Sequence, residues 1–439
     1  MSPIQETYRD LYAALTDLRE HFHVSGRIDD SNAKLDEVSK VLAICIATHN
    51  NWIDSGQFND LVNTTKYDSK AAKTLSKIFK ACANHEKFIN TDGSSIFGAE
   101  PKLNIQESDN EFALLLVRSI YSAFSGALTH ATKDHSFDLV NEAFGHFVRD
   151  NFRGNIEDAQ YMTPPEVVDF ICDWAVSELI DDGFDFKKTK LSVLDPSCGV
   201  GSFLASFYRK VGIHLKKKPK KVQLIGQDQV DRMVRLSKIN MMLFGSDIYD
   251  IEQGNSLLDS PRLNKLNGKV DLILTNPPFG ATISLDSLNT ESQKNYPLLH
   301  GSGLPSSHVD SELAFIDREL ALLKDGGKLF IVVPDSTVSS RGLAETLRAR
   351  ILGVAKLKGI IELPAVTFAQ AGTRTKTSIV YIEKNIARTS TDLVTMASIN
   401  DLGFQVSMRK GVAIKKYEGI NELDLLKGEL FHHGKVKGV

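Results

Sequence analysis

Residues 272–280 read LILTNPPFG, and the part that could do chemistry is Asn276-Pro277-Pro278-Phe279. A turn needs only one proline or glycine. Two consecutive prolines forfeit two backbone donors and stiffen the chain well beyond what turning requires. An asparagine amide oxygen and a proline carbonyl, held rigidly, can accept both hydrogens of an exocyclic amine. The adjacent aromatic can stack on the ring that bears it. An aromatic amine is a poor nucleophile because its lone pair is delocalised into the ring. Accepting both hydrogens favours a pyramidal nitrogen and raises its reactivity towards an electrophilic methyl, and acceptors fixed in advance avoid reorganisation at the transition state. Taken alone, the stretch fits equally well a proline-rich loop that merely ends a central strand.

A second stretch, DPSCGVGSFL (195–204), follows the apolar run LSVLD. Its glycines, Gly199 and Gly201, let the backbone approach a ligand closely just before a helix begins, and Asp195 at the strand end can accept from a ligand donor. Many strand-to-helix turns carry such glycines, and the third glycine of a dinucleotide fingerprint is missing, which disfavours a nicotinamide cofactor. The next apolar run ends in LIGQDQ, where Asp228 can hold a ribose diol or simply cap the following helix. Two acids in register after successive strands favour a nucleoside-bearing cofactor.

The elements that must carry these residues alternate. Runs rich in β-formers lie at 191–195, 222–226, 270–275, 327–334, 357–363 and 377–383, separated by helical patterns at 201–213, 229–245, 310–324 and 341–353. This predicts an α/β fold with a doubly wound, mostly parallel sheet, in which ligands sit at the carboxyl ends of the strands. Residues 1–150 read instead as a helical domain, with patterns at 8–22, 31–49, 69–83, 110–124 and 140–150 and a turn-rich loop over 90–110. Residues 151–160 mark a boundary, 151–385 form the α/β domain, and 386–439 form a tail with a short strand and a helix.

At 42% hydrophobic and 24% charged, the 439-residue chain is an ordinary globular sequence with a net charge of −3. No global basic field advertises a polyanion, so a nucleic-acid site must be local or completed by a partner. Cys45, Cys82, Cys172 and Cys198 show no paired spacing. They read as reduced thiols of a cytoplasmic protein, and metal catalysis is not indicated. No stretch reaches the about 18 apolar residues of a membrane span. The lysines of KKKPKK (216–221) fall at the far end of the helix that follows the glycine turn, which makes them a solvated turn.

DPSCGVGSFL followed by TNPPFG resembles the N6-adenine DNA methyltransferases that use S-adenosylmethionine. More narrowly, the chain is similar to the modification subunit of type I restriction-modification systems. The narrower resemblance rests on AQYMTPPEVVDFICDWA (159–175), DSELAFIDRELALLKDGGKLFIVVPD (310–335) and GIIELPAVTFAQAGTRTKTSIVYIEK (359–384), and covers roughly residues 159–384. It implies the methyltransferase fold and S-adenosylmethionine as cofactor. Asp195, Ser197, Gly199, Gly201, Asp228 and Asn276 would help to bind it. Tyr161, Thr163 and Pro164 would line its methionine end. Where the family often has an acid for the cofactor's adenine amine, this chain offers Asn255, an acceptor without charge.

The resemblance also implies a reaction. A target adenine, flipped out of double-stranded DNA, would present its N6 amine to Asn276 and the Pro277 carbonyl while Phe279 stacks on the base. A separate specificity subunit would choose the site, a restriction or motor subunit is a further candidate partner, and two copies of this chain would assemble. An rRNA methyltransferase, a glutamine-amide methyltransferase and a catalytically silent DNA-binding scaffold are the alternatives. The long polar stretch 281–308, directly after the catalytic turn, is a lid or DNA-facing loop, or else an unordered insertion.

Overall fold

The structure, a computed structural model, describes residues 18, 31–133, 162–246, 248–258, 260–285, 288, 290–299, 308–369, 373–384, 393–409 and 412–431. The helical patterns expected at 8–22 and 140–150 and the boundary at 151–160 fall outside these residues, apart from Leu18. The chain divides into two compact units, Met1–Ile156 with Met242–Phe244, and Glu157–Met241 with Gly245–Val439.

The first unit is helical. Its described helices are α1 (Ser31–His49), α2 (Gly56–Asn63), α3 (Ala71–Ala83) and α4 (Asn110–Lys133), the last running nine residues beyond the expected 124. Apolar residues at helical spacing supply its core, for example Leu75, Ile78, Phe79 and Cys82 of α3. Inside it, buried Glu37 accepts from Lys40 Nζ at 2.7 Å and from the Asn104 backbone N–H at 2.9 Å, which ties the loop before α4 to α1.

The second unit is built on one sheet of eight strands: β1 (Leu191–Asp195), β2 (Val222–Asp228), β3 (Tyr249–Gln253), β4 (Val270–Thr275), β7 (Leu323–Pro334), β8 (Ala355–Leu363), β9 (Thr377–Lys384) and β10 (Thr395–Ser398). Between β4 and β7 a short antiparallel ribbon joins β5 (Thr282–Ser284) to β6 (His308–Asp310). The order across the sheet is β10-β8-β9-β7-β4-β1-β2-β3. All neighbours pair in parallel except β9, which runs antiparallel to both β7 and β8. Central strands are mostly apolar and buried, as in Val-Asp-Leu-Ile-Leu-Thr of β4, where every residue but Asp271 is buried, because helices cover both faces. Those helices include α5 (Pro165–Asp181), α6 (Ser202–Leu215), α7 (Asp231–Leu243), α8 (Ser311–Leu322) and α9 (Leu343–Val354). The expected mostly parallel, doubly wound sheet is the one observed.

The chain steps outward from β1 to β2 and β3, then returns to lay β4 on the other side of β1. The strand order therefore reverses between β1 and β4, and a crevice opens at their carboxyl ends. The tail departs from the expected short strand and helix. It contributes β10, then a hairpin of β11 (Leu402–Arg409) and β12 (Val412–Asn421), and ends in α10 (Glu422–Leu430). The lysines of 216–221 are exposed between α6 and β2, at the opposite end of β2 from Asp228.

Candidate active site

Asp195, the last residue of β1, is 1% exposed and lies at the switch point. Its Oδ1 accepts from Thr275 Oγ1 at 2.8 Å and from the Ser197 backbone N–H at 3.1 Å, and the Ser197 and Thr275 hydroxyls bond each other at 2.8 Å. The glycine turn is thereby tied to the residue that precedes Asn276. Burial pushes the Asp195 carboxyl up to about 7, against the Thr275 and Ser197 bonds that favour its charged form.

Gly199 and Gly201 take φ of +51° and +80°, which side chains disfavour. The turn is held from outside by α7, where Asn240 Nδ2 donates to the Val200 carbonyl at 3.0 Å. A Cβ on Gly201 would fall 2.4 Å from Ser237 Oγ, so α7 packs where only glycine fits. Asp228, ending β2, accepts from the Gly199 N–H through one oxygen and the Val230 N–H through the other, both at 2.9 Å. It thus braces the glycine turn and starts the chain towards α7. Burial raises its carboxyl, with the Val230 and Gly199 amides pulling it down.

Ser197, Asp228 and Asn255 line one cavity of about 340 Å³, together with Pro278 of the proline turn. Its wall also carries Leu257 and Leu258, the latter 45% exposed, so polar groups that can hold hydroxyls alternate with flat apolar contact for a ring. This donor and acceptor set fits an adenosine-bearing cofactor: carboxylate and amide oxygens for hydroxyls and an amine, leucines for the purine, and a glycine, Gly254, that leaves the backbone bare. The Asn255 amide oxygen already accepts from the Leu257 N–H at 3.0 Å and its nitrogen donates to Gln229 Oε1 at 3.3 Å, which fixes its orientation at the rim. Ser256, beside it, donates to the Pro196 carbonyl at 2.6 Å and locks the third strand's exit to the first.

Asn276 leaves β4 with its Nδ2 donating to Thr163 Oγ1 at 2.9 Å. Thr163 sits just before α5, whose first turn begins at Pro165, with Pro164 as its cap. Tyr161 lies outside the described residues. Pro277 is buried, and Pro278 gives its carbonyl to Ser311 Oγ at 2.9 Å. Phe279 meets Phe368 edge to face, centroids 5.9 Å apart at 88°. Thr275, Ser311 and Phe368 escape a reading of spacing alone. Thr275 carried a signal, a hydroxyl directly before the motif at a strand end, whereas Ser311 and Phe368 meet the turn only through the fold.

The stretch 281–308 is anchored where it is described. Ala281, Thr282, Ile283 and Ser284 form part of the cavity wall. Buried Asp317 of α8 accepts from the backbone N–H of Leu298 and Leu299, and Tyr296 donates to the Leu257 carbonyl.

Residues 135–418 match the N-6 DNA methylase family. Over 257 residues the chain is 26% identical to the methylase subunit of the type I restriction enzyme EcoEI of Escherichia coli, a match spanning 57% of this chain and 49% of that protein. The chain thus covers about half the length of that relative. It is 22% identical over 319 residues to the type II methyltransferase M.MamI of Microbacterium ammoniaphilum, covering 69% of this chain and 83% of that one. The solved methyltransferase subunit of a type I restriction-modification system from Streptococcus thermophilus shares the fold, with a TM-score of 0.59 at 18% identity over 97% of this chain and 92% of that one. With about two thirds of its length inside the family match, and its glycine turn and proline turn facing one crevice, the chain belongs to the N-6 DNA methylase family.

Proposed function

We propose that the chain is the modification subunit of a type I-like restriction-modification or related defence system, an adenine-N6 methyltransferase acting on double-stranded DNA. The observation that carries this reading is the meeting of the cavity and the proline turn at one switch point, with Pro278 belonging to both. S-adenosylmethionine is the cofactor, and when bound it supplies an electrophilic methyl group.

Asp195, Ser197, Gly199, Gly201, Asp228 and Asn255 bind the cofactor through the acceptors and the bare backbone of their turns. Asn276 Oδ1 and the Pro277 carbonyl accept the two hydrogens of the target amine, and Phe279 stacks on a base that has left the duplex. The proline pair holds these acceptors before substrate arrives, so little reorganisation is needed as positive charge develops on the nitrogen. A chain of net charge −3 offers no uniform attraction for DNA, so a separate specificity subunit supplies the site choice. Two copies of the chain and a restriction subunit complete the assembly.

The test is methyl transfer by the chain co-purified with the products of its neighbouring genes, with modified bases mapped by sequencing. N6-methyladenine at one defined sequence is expected. Asn276→Ala should still bind S-adenosylmethionine but transfer nothing. Methyl groups found on rRNA or on a glutamine amide instead, or on no adenine at all, would overturn the proposal.

A further inference from the structure

Thr163 and Asn276 stand 113 residues apart in sequence and share one hydrogen bond, Asn276 Nδ2 donating to Thr163 Oγ1 at 2.9 Å. Each is followed by two prolines, Pro164-Pro165 in one case and Pro277-Pro278 in the other. A residue before proline is confined to extended backbone, and the proline itself has φ fixed. Both ends of this hydrogen bond are therefore presented from backbones with few alternatives. Thr163 is 8% exposed, and its branched side chain has few rotamers to lose.

The segment bearing Thr163 is braced from a second direction. Glu166, in the first turn of α5, takes an ion pair from Lys415 of β12 at 2.7 Å. The Lys415 ammonium lies 4.2 Å from the Phe404 ring centroid and 4.8 Å from that of Tyr417. The C-terminal hairpin thus fixes the helix start that carries Thr163.

A carboxamide has an acceptor at one end and donors at the other. With the donor end held by Thr163, the oxygen is set at the opposite end of the amide, the end the proposed reaction needs as acceptor. Turned end for end, the amide would set its own N–H groups against those of the amine. We infer that Thr163 is a positioning residue for Asn276, holding the amide by its nitrogen, and not a wall of the cofactor site. The inference rests on the proposed reaction at an adenine amine.

The test compares Thr163→Val, which keeps the shape and removes the acceptor, with Thr163→Ser, which restores it, in the full complex. Thr163→Val should lower kcat by roughly tenfold while the Kd for S-adenosylmethionine stays within about twofold. Thr163→Ser should recover most of the rate. A weakened cofactor Kd with kcat unchanged, or an unchanged kcat, would overturn the inference.

A second readout needs no turnover. In chain labelled with 15N-asparagine, the side-chain NH2 pair of Asn276 is identified by its loss in Asn276→Ala. That pair should shift and exchange faster in Thr163→Val and return towards wild type in Thr163→Ser. If the pair responds but the wild type methylates no adenine, the functional proposal fails and the positioning stands. If the pair does not respond, the positioning fails whatever the activity.

Discussion

Ser311 closes the proline turn on Pro278: its Oγ donates to the Pro278 carbonyl at 2.9 Å while its backbone N–H donates to the Ala281 carbonyl at 2.8 Å. The first residue of α8 thus bridges both ends of a four-residue turn, and it does so at the point where the 281–308 stretch returns through β6. Because Ser311 takes the second proline's carbonyl, that group is already engaged within the turn. Removing the hydroxyl in Ser311→Ala leaves the backbone bond and frees the carbonyl. We expect faster amide hydrogen exchange at Phe279, Gly280 and Ala281 and a drop in kcat of about threefold to tenfold, with Ser311→Thr close to wild type. Unchanged exchange across the turn would show that Ser311 is not its clamp.

Asp195 should make cofactor affinity depend on pH. Burial moves its carboxyl from an ordinary 3.8 to about 7, so in the free protein it is largely protonated at pH 6 and charged at pH 8. If the charged form is the one that accepts from the cofactor, affinity rises through this range, by roughly tenfold between pH 6 and 8 for a single linked proton. Folding runs the other way. The native state holds a proton that the unfolded chain releases near pH 4, so this contribution to stability is complete below about pH 4 and is lost as pH rises through about 7. Calorimetric titration of S-adenosylmethionine at pH 6, 7 and 8 checks the first claim, and Asp195→Asn should flatten the profile. A flat profile in the wild type would rule out the linkage.

Gly201 should tolerate no side chain. At φ +80° a non-glycine residue costs roughly 1 kcal/mol. Its Cβ would also meet Ser237 Oγ at 2.4 Å. Gly201→Ala is expected to lose about 2–3 kcal/mol of stability and most cofactor affinity. Adding Ser237→Ala removes the 2.4 Å contact but leaves Met241 Cε at 3.1 Å and the backbone strain, and should return about 1 kcal/mol. Denaturant titration of the single and double variants checks this. Strictly additive losses would mean that α7 moves aside.

The sheet was legible because short apolar runs in β1, β2, β4 and β7 admit one reading once helical patterns separate them. The strand-end positions of the candidate residues Asp195 and Asn276 were legible for the same reason, since strand ends are where this architecture gathers ligands. What escaped were partners set by tertiary approach. Ser311 lies 33 residues from Pro278 and Thr275 lies 80 from Asp195, and no periodicity marks either pairing. The hairpin of the tail was missed because Lys415 and Lys416 interrupt its alternation with charge. One of those charges is covered by Phe404, Tyr417 and Glu166, where tertiary packing overrides composition. In α8 the polar pair Asp317-Arg318 is buried, and its partners in the insertion are set by the fold and not by spacing.

That anchor yields the last expectation. Arg318 donates to Asn267 Oδ1 at 2.6 Å, to Asn295 Oδ1 at 3.2 Å and to Asn264 Oδ1 at 2.8 Å. Asn267 and Asn295 are themselves bonded at 2.9 Å, and Asn295 Nδ2 reaches Asn264 Oδ1 at 3.0 Å. One guanidinium thus gathers three asparagines, with Asn295 coming from the stretch after the proline turn and the other two from the approach to β4. Arg318→Met fills much of the volume but takes one donor from each of three amide oxygens, of which those of Asn295 and Asn264 keep an asparagine donor, and this costs on the order of 2–4 kcal/mol. The loss should be local before it is global. Limited proteolysis should cut between residues 285 and 308 faster in the variant than in the wild type. Cofactor binding should weaken with it, because Ala281–Ser284 of the same stretch form part of the cavity wall. S-adenosylmethionine should protect the wild type from cleavage and protect Arg318→Met less. Equal cleavage rates in the two proteins would separate the arginine network from the insertion and leave it a feature of the core alone.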